Sequence, residues 1–307
     1  MKKRVFLFPG QGAQKSGMGK DIYEAFPEAK EMFDAYPEVR DICFTGTEDQ
    51  LKQTSMTQPA IYLVSVVINA ILKKNGIIPE CSVGHSLGEY SALVSAGVFD
   101  WKTGLTLVQE RGKRMQDAGT RIPGTMAAVI GLSDETVKEI CSKTAGVVEP
   151  VNFNAPEQVV ISGEVQSVQD AMKAFQELKA KMVVPLNVSG AFHSSLLKQT
   201  GDDFKIFLDT HTYRDPEFQV MANLDNAFYS GAKAVSTNLS KQIYHPVLWT
   251  DMMRKLIADG YKDFVEVGPG NVLKGLMKRI DSTCNVETTK TADELKAVIL
   301  KIKAEAS

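Results

Sequence analysis

Cysteine and histidine are scarce in this 307-residue chain, four of each, and neither is spaced for metal binding. Cys43, Cys81, Cys141 and Cys284 contain no C-x-x-C pair, which argues against a zinc site or a disulfide framework and suits a reducing cytosol. His85, His193, His211 and His245 show no H-x-x-x-H spacing, so no metal is expected. Charge of one sign is also lacking. The net charge is −2, which leaves no nucleic-acid footprint in the totals. The longest apolar-rich stretch, Ala60 to Leu72, is interrupted by Tyr62, Ser65 and Asn69, so no membrane span is expected. Met1-Lys2-Lys3-Arg4 looks like the basic start of a signal peptide, but Val5–Phe8 stops at Pro9-Gly10, too soon for its apolar region. A phosphate loop fails as well, because G-x-G-x-x-G from Gly10 would need glycine at Lys15. A soluble cytoplasmic protein with no repeats is the expectation.

What is present alternates between strand, loop and helix. Val5–Phe8 reads as a buried strand ending in the loop Pro9-Gly10-Gln11-Gly12. Gln58–Lys74 reads as a helix, Cys81–His85 as a strand, Leu87–Ser95 as a helix, and Asp100 as the cap of a helix reaching Met115. This alternation predicts a parallel sheet covered by helices. From Met126 the order becomes strand (126–130), helix (134–143), strand (147–153), strand (158–162), helix (167–178), strand (182–188). That is β-α-β-β-α-β, a ferredoxin-like unit. The expected organisation is a small domain at 124–189 inserted in a large α/β domain formed by 1–123 and 190–307. The large domain resumes with a helix from Phe192 to Leu208, a strand at 219–222, a helix at 246–258, a strand at 263–267 and a helix from about Val272. The Lys-rich segment from Asp293 reads as a final amphipathic helix.

Ser86 stands in Gly84-His85-Ser86-Leu87-Gly88, after the second strand and before a helix. G-x-S-x-G at such a turn is the pattern of a nucleophile elbow. Small flanking residues let the turn close, and the helix start offers free N–H groups to a developing oxyanion. A serine needs an adjacent base. His85 is next to it, but neighbouring strand residues face opposite ways, so His85 reads as a supporting group. His193, where the chain leaves the small domain, reads as the base facing an interdomain cleft. A triad carboxylate is missing. Asp134, Glu135, Glu139 and Glu149 lie between Ser86 and His193 in sequence, but all fall in the inserted unit. A carbonyl oxygen is the alternative acceptor for the histidine Nδ1–H. Arg111 sits in the apolar arc of its helix, either in a buried ion pair with Glu89 or Glu110 or waiting for a substrate carboxylate. The Gln11 and Leu87 N–H groups are the candidate oxyanion donors.

Pro9-Gly10-Gln11-Gly12-Ala13-Gln14, Gly84-His85-Ser86-Leu87-Gly88-Glu89, Gln109-Glu110-Arg111-Gly112, Gly190-Ala191-Phe192-His193-Ser194 and Glu266-Val267-Gly268-Pro269-Gly270 occur in an order and spacing that resemble the malonyl-CoA:acyl carrier protein transacylases, in particular the stand-alone bacterial enzymes of type II fatty acid synthesis. The resemblance covers nearly the whole chain. It implies an α/β-hydrolase-like large domain with a ferredoxin-like insert. It implies a malonyl-Ser86 ester, His193 as base, Arg111 on the malonyl carboxylate, Gln11 and Leu87 amides as the oxyanion hole, and Gln242 supplying the carbonyl that orients the histidine. The Ala191-Phe192-His193-Ser194 tetrad resembles that of malonyl-selective relatives. The implied substrates are malonyl-CoA and a phosphopantetheinylated, acidic acyl carrier protein that docks transiently on a monomer, with no tightly bound cofactor. The same chemistry in a polyketide or malonate decarboxylase system, and a serine hydrolase or thioesterase, are the alternatives. Glu157 stands where the family often has glycine, and His245 occupies a variable position whose role is open.

Overall fold

The computed structural model describes residues 3–188 and 190–306; Met1 and Lys2 of the basic start, and Ser189 at the expected domain boundary, lie outside the described residues. The chain opens with β1 (Arg4–Phe8), followed by four short helices, α1 (Lys20–Ala25), α2 (Pro27–Asp34), α3 (Pro37–Thr45) and α4 (Glu48–Lys52). The long α5 (Thr54–Lys74) leads to β2 (Cys81–Gly84), α6 (Gly88–Ser95) and α7 (Trp101–Arg121). Next come β3 (Gly124–Ile130), α8 (Asp134–Lys143), β4 (Val148–Ala155), β5 (Gln158–Glu164), α9 (Val165–Glu177) and β6 (Met182–Pro185). The chain ends with α10 (Lys198–Leu208), β7 (Gln219–Met221), α11 (Val235–Gln242), α12 (Trp249–Ala258), β8 (Asp263–Glu266), α13 (Val272–Ile280), β9 (Asn285–Thr288) and α14 (Ala292–Ala306).

Two sheets result. One is parallel throughout, in the order β7-β2-β1-β8-β9. Its central strands β1 and β2 are apolar and buried nearly throughout, as a sheet covered on both faces requires. The other is antiparallel, in the order β4-β5-β3-β6, with α8 and α9 packed on it over a separate apolar cluster that includes Val129, Val137, Ile161 and Phe175. Hydrogen bonds from Phe153 N to Val247 O (3.0 Å) and from Val247 N to Val151 O (2.7 Å) stitch β4 to the loop after α11.

Helix α5 is long and apolar enough to cross a membrane, contrary to the expectation from its interrupted run. It is instead a core helix: 83% of its apolar window lies inside the protein, packed against α3 and α7. It begins four residues before the predicted start and takes Pro59 in its second turn, where the missing N–H removes one intrahelical bond. Asp100 caps α7 as expected, accepting from the Lys102 and Thr103 amides. The helix predicted from Phe192 is corrected: residues 192–194 are irregular, Ser195–Leu197 form one 3-10 turn, and α10 starts at Lys198. The reason is His193, whose φ of +63° is incompatible with a helix. The strand predicted over 182–188 stops at Pro185.

Candidate active site

The first parallel strands place a serine at a constrained turn. Ser86 has φ of +51°, the left-handed region that side chains disfavour, and the surrounding glycines are obligatory. A Cβ on Gly84 would meet Gly88 C at 1.8 Å, and one on Gly88 would meet Phe8 O at 2.0 Å. The strain is held by Asn223, just beyond β7. Its Oδ1 accepts from Ser86 N at 2.8 Å and its Nδ2 donates to Gly84 O at 2.7 Å. Asn223 escaped the sequence reading because nothing in a lone asparagine at a strand end points to a turn 137 positions away.

His193 faces this serine across the groove between the sheets. Its Nδ1 lies 2.8 Å from Gln242 O and 3.2 Å from His245 O. Carbonyl oxygens only accept, so Nδ1 carries the proton and the Nε2 lone pair points at Ser86 Oγ, 2.8 Å away. Burial, and then the Arg111 charge, pull the His193 pKa down to about 3, so the ring is a neutral acceptor at physiological pH. The acceptor left open in the sequence is thus a main-chain carbonyl, and the open role of His245 is filled by its backbone oxygen, while its side-chain Nδ1 bonds Lys241 O. Glu149 does not touch His193. It accepts from Ser195 N and Oγ, both at 2.7 Å, and so fixes the turn that follows the histidine. His85 points away from the hydroxyl, with Nε2 on Asn154 Oδ1 at 2.8 Å and its ring against Trp249.

Arg111 is fully buried, as its place in the apolar arc of α7 requires. Neither expected carboxylate pairs with it directly: Glu110 holds Arg114 at 2.7 Å, and Glu89 is separated from it by the Gln242 side chain. Arg111 Nη2 donates to Ser86 Oγ at 3.0 Å and to Gln242 Oε1 at 2.9 Å. Its Nε and Nη1 make no hydrogen bond of good geometry among the described residues, and neither does the Tyr90 hydroxyl, which lies close enough to the guanidinium to interact with it weakly. A buried guanidinium with idle donors is costly unless a ligand completes it, and burial lowers its pKa.

These groups line one cavity of about 360 Å³ between the sheets, with Gln11 and Leu87 on its wall and apolar side chains of the antiparallel sheet, such as Met126 and Val160, opposite. Among the described residues, neither the Gln11 nor the Leu87 amide has an acceptor within the protein. Glu157, the departure from glycine, has φ of +58° in the β4–β5 turn, the conformation glycine adopts without strain. The cavity thus brings together one hydroxyl, one neutral imidazole acceptor, two amides without an acceptor and one buried guanidinium.

The comparisons agree with that chemistry. The profile of the acyl transferase domain matches residues 5–297. The malonyl CoA-acyl carrier protein transacylase of Bacillus subtilis is 36% identical over 313 aligned positions, covering 99% of both chains. Among solved structures, the acyl carrier protein S-malonyltransferase of Vibrio cholerae superposes with a TM-score of 0.92 at 38% identity, over 97% of this chain and all of that one. A malonyl-transacylase in complex with its type II polyketide acyl-carrier protein superposes at 0.93 with 37% identity, over 98% of this chain and all of that one. With matches of this extent, the chain belongs to the malonyl-CoA–acyl carrier protein transacylase family of acyl transferases.

Proposed function

We propose that this protein moves the malonyl group of malonyl-CoA to the phosphopantetheine thiol of an acyl carrier protein, through a malonyl-Ser86 ester. One observation carries the reading: a single hydroxyl lies 2.8 Å from a neutral imidazole nitrogen and 3.0 Å from a buried guanidinium with idle donors. His193 Nε2 takes the Ser86 proton as Oγ attacks the thioester carbonyl. The Gln11 and Leu87 amides receive the oxyanion; one such donor is worth about 10²–10³ in rate. The CoA thiolate leaves with the proton from His193. The carrier thiol then gives its proton to His193 and attacks the ester, which makes the cycle ping-pong. Arg111 grips the free malonyl carboxylate, an arrangement it can make bidentate. That pairing cancels the positive charge that depresses His193, so an anionic acyl group strengthens the base acting on it.

The βαββαβ unit at 124–189 is read as a ferredoxin-like small domain with its own core, set into an α/β-hydrolase-like large domain of 1–123 and 190–307. Carbonyl oxygens rather than a carboxylate on His193 favour transfer over a hydrolase triad. Malonyl-CoA and an acidic, transiently docked carrier are the substrates, with no tightly bound cofactor, and a cytoplasmic monomer is the proposed form; the fatty acid setting rests on the motif resemblance. Intact mass after mixing with malonyl-CoA tests the reading. One added malonyl group, absent in Ser86→Ala and discharged onto carrier thiol rather than as free malonate, is expected. No adduct, or release to water at an undiminished rate without carrier, overturns it.

A further inference from the structure

The carboxylate that the sequence search did not find near the histidine lies on the other side of the serine. Glu89 is three residues after the nucleophile, in the first turn of α6, and has no exposed surface. Its Oε1 accepts from Tyr229 Oη at 2.5 Å; its Oε2 accepts from Gln242 Nε2 at 2.5 Å and from Asn223 N at 3.2 Å. Every partner is a donor, the pattern of an ionised carboxylate. Two of the three are the residues that clamp Ser86: Asn223 Oδ1 takes the Ser86 N–H, and Gln242 Nε2 also donates to Ser86 O at 2.9 Å.

We infer that Glu89 is a positioning residue that sets the malonyl selectivity of the site by locking the Gln242 side-chain amide with its NH2 toward Glu89 and its oxygen toward Arg111. Amide orientation is the crux, because an amide has a donor end and an acceptor end. With Glu89 as a carboxylate, Gln242 Nε2 must face it, and Oε1 is left to receive Arg111 Nη2 at 2.9 Å. The guanidinium is thereby anchored at one nitrogen over Ser86 while Nε and Nη1 stay idle for a ligand. The interposed amide also keeps Glu89 from pairing with Arg111 and spending its charge. An uncharged amide at position 89 would offer one acceptor to three donors and leave the Ser86 carbonyl alone to hold Gln242 Nε2; an amide that turned would present N–H to a guanidinium that has only N–H groups itself. Burial raises the Glu89 carboxyl to about 7, against the hydrogen bonds from Tyr229, Gln242 and Asn223 and the charge of Arg111; Tyr90 is the other titratable group facing this pair.

The inference rests on the malonyl-transfer reading, so the wild-type adduct and its loss in Ser86→Ala are checked first; their failure would count against that reading and not against this one. The test is the ratio of kcat/KM for malonyl-CoA to that for acetyl-CoA in Glu89→Gln and Glu89→Asp, with folding checked by thermal unfolding. Glu89→Gln is expected to lower the ratio at least tenfold. Glu89→Asp keeps the charge but falls short of Gln242, and is expected to lower it by a similar factor; if the Gln variant does not fold, the Asp variant carries the test. In an Arg111→Ala background the Glu89 substitutions should change the ratio less than twofold. A folded variant with an unchanged ratio would make Glu89 a packing group. A ratio that rises, the effect of removing one negative charge near the pocket, would overturn the inference equally.

Discussion

Replacing Arg111 with methionine is expected to separate stability from selectivity. Methionine approximates the volume of the arginine stem but carries no charge. In the free protein the guanidinium is completely buried and only Nη2 has partners. Burying an ion costs several kcal/mol, and here the return comes from Glu89 beyond an intervening amide and from the Tyr90 ring, 5.6 Å from Arg111 Cζ. Replacing a whole buried ion pair by apolar groups is often neutral or stabilising by about 1–4 kcal/mol, and here Glu89, already raised to about 7 by burial, takes up a proton once Arg111 is gone, so that no charge is stranded. Loss of the donor on Gln242 Oε1 takes back about 1 kcal/mol. The expected balance lies between about −1 and +3 kcal/mol, or a shift of about −2 to +5 °C in the melting temperature of a chain of 307 residues.

Selectivity falls. If Arg111 holds the malonyl carboxylate at the buried end of this cavity, removing it leaves that carboxylate unpaired, a loss of about 3–5 kcal/mol. At about 1.4 kcal/mol per factor of ten, malonyl transfer falls by about 10²–10³·⁵. Acetyl-CoA has no carboxylate to lose, so the same substitution affects it only through the bond to Ser86 Oγ. The assay is paired: kcat/KM for both thioesters, and calorimetric melting without substrate. A melting temperature several degrees below wild type with an unchanged malonyl-to-acetyl ratio would refute the reasoning and make Arg111 a structural cation.

Four further outcomes follow from the same geometry. In Glu89→Gln, kcat/KM should stay level from about pH 8 to 5, because His193, held near 3, remains neutral; an inflection near the unperturbed value of about 6.5 would refute that depression. Because the unfolded chain takes up this proton first, the histidine's contribution to stability is full above about 6.5 and is lost as pH falls toward 3, which melting of wild type against His193→Gln would reveal. Gly88→Ala should fail to accumulate as folded protein, since its Cβ would lie 2.0 Å from the β1 carbonyl of Phe8; a well-folded, active variant would show that the elbow can move. Asn223→Ala strips the acceptor from Ser86 N and the donor from Gly84 O, and should lower stability by about 2–6 kcal/mol at about 1–3 per buried orphaned group, with acylation slowed at least tenfold; wild-type burst kinetics would exclude its role as a brace.

The site was legible where chemistry forces a local pattern. Ser86 is announced by Gly84 and Gly88, because the α6 backbone leaves no room for a side chain at Gly84 and the Phe8 carbonyl at the end of β1 leaves none at Gly88. Arg111 is announced by helical periodicity, which aims a charge inward, and the βαββαβ order by the spacing of strands and turns. Illegible were partners brought together only by the tertiary fold. Asn223 and Tyr229, in the one segment after β7, meet Glu89 from 134 and 140 positions away with no shared motif. The segment from 20 to 52 was left unassigned because helices of five to nine residues are too short for a periodicity. Its punctuation was nonetheless present: Pro27 and Pro37 open α2 and α3, and Thr47 with Gln50 forms a capping box. At His193, apolar and polar residues at helical spacing suggested a helix, but the site needs the ring turned toward Ser86, and the left-handed backbone that achieves this breaks the helix.

Why this histidine leans on carbonyl oxygens follows from where the charges lie. A carboxylate on His193 Nδ1 would stand close to Arg111, offering the guanidinium a permanent partner and repelling an incoming carboxylate. Gln242 and His245 orient the ring through neutral oxygens and do neither. The buried anion that does exist, Glu89, sits behind the Gln242 amide, which bonds it on one side and Arg111 on the other. The positive charge therefore stays compensated within the protein while Arg111 lines the cavity, and on the proposed reading an acyl chain ending in a carboxylate pairs with it whereas a neutral one does not.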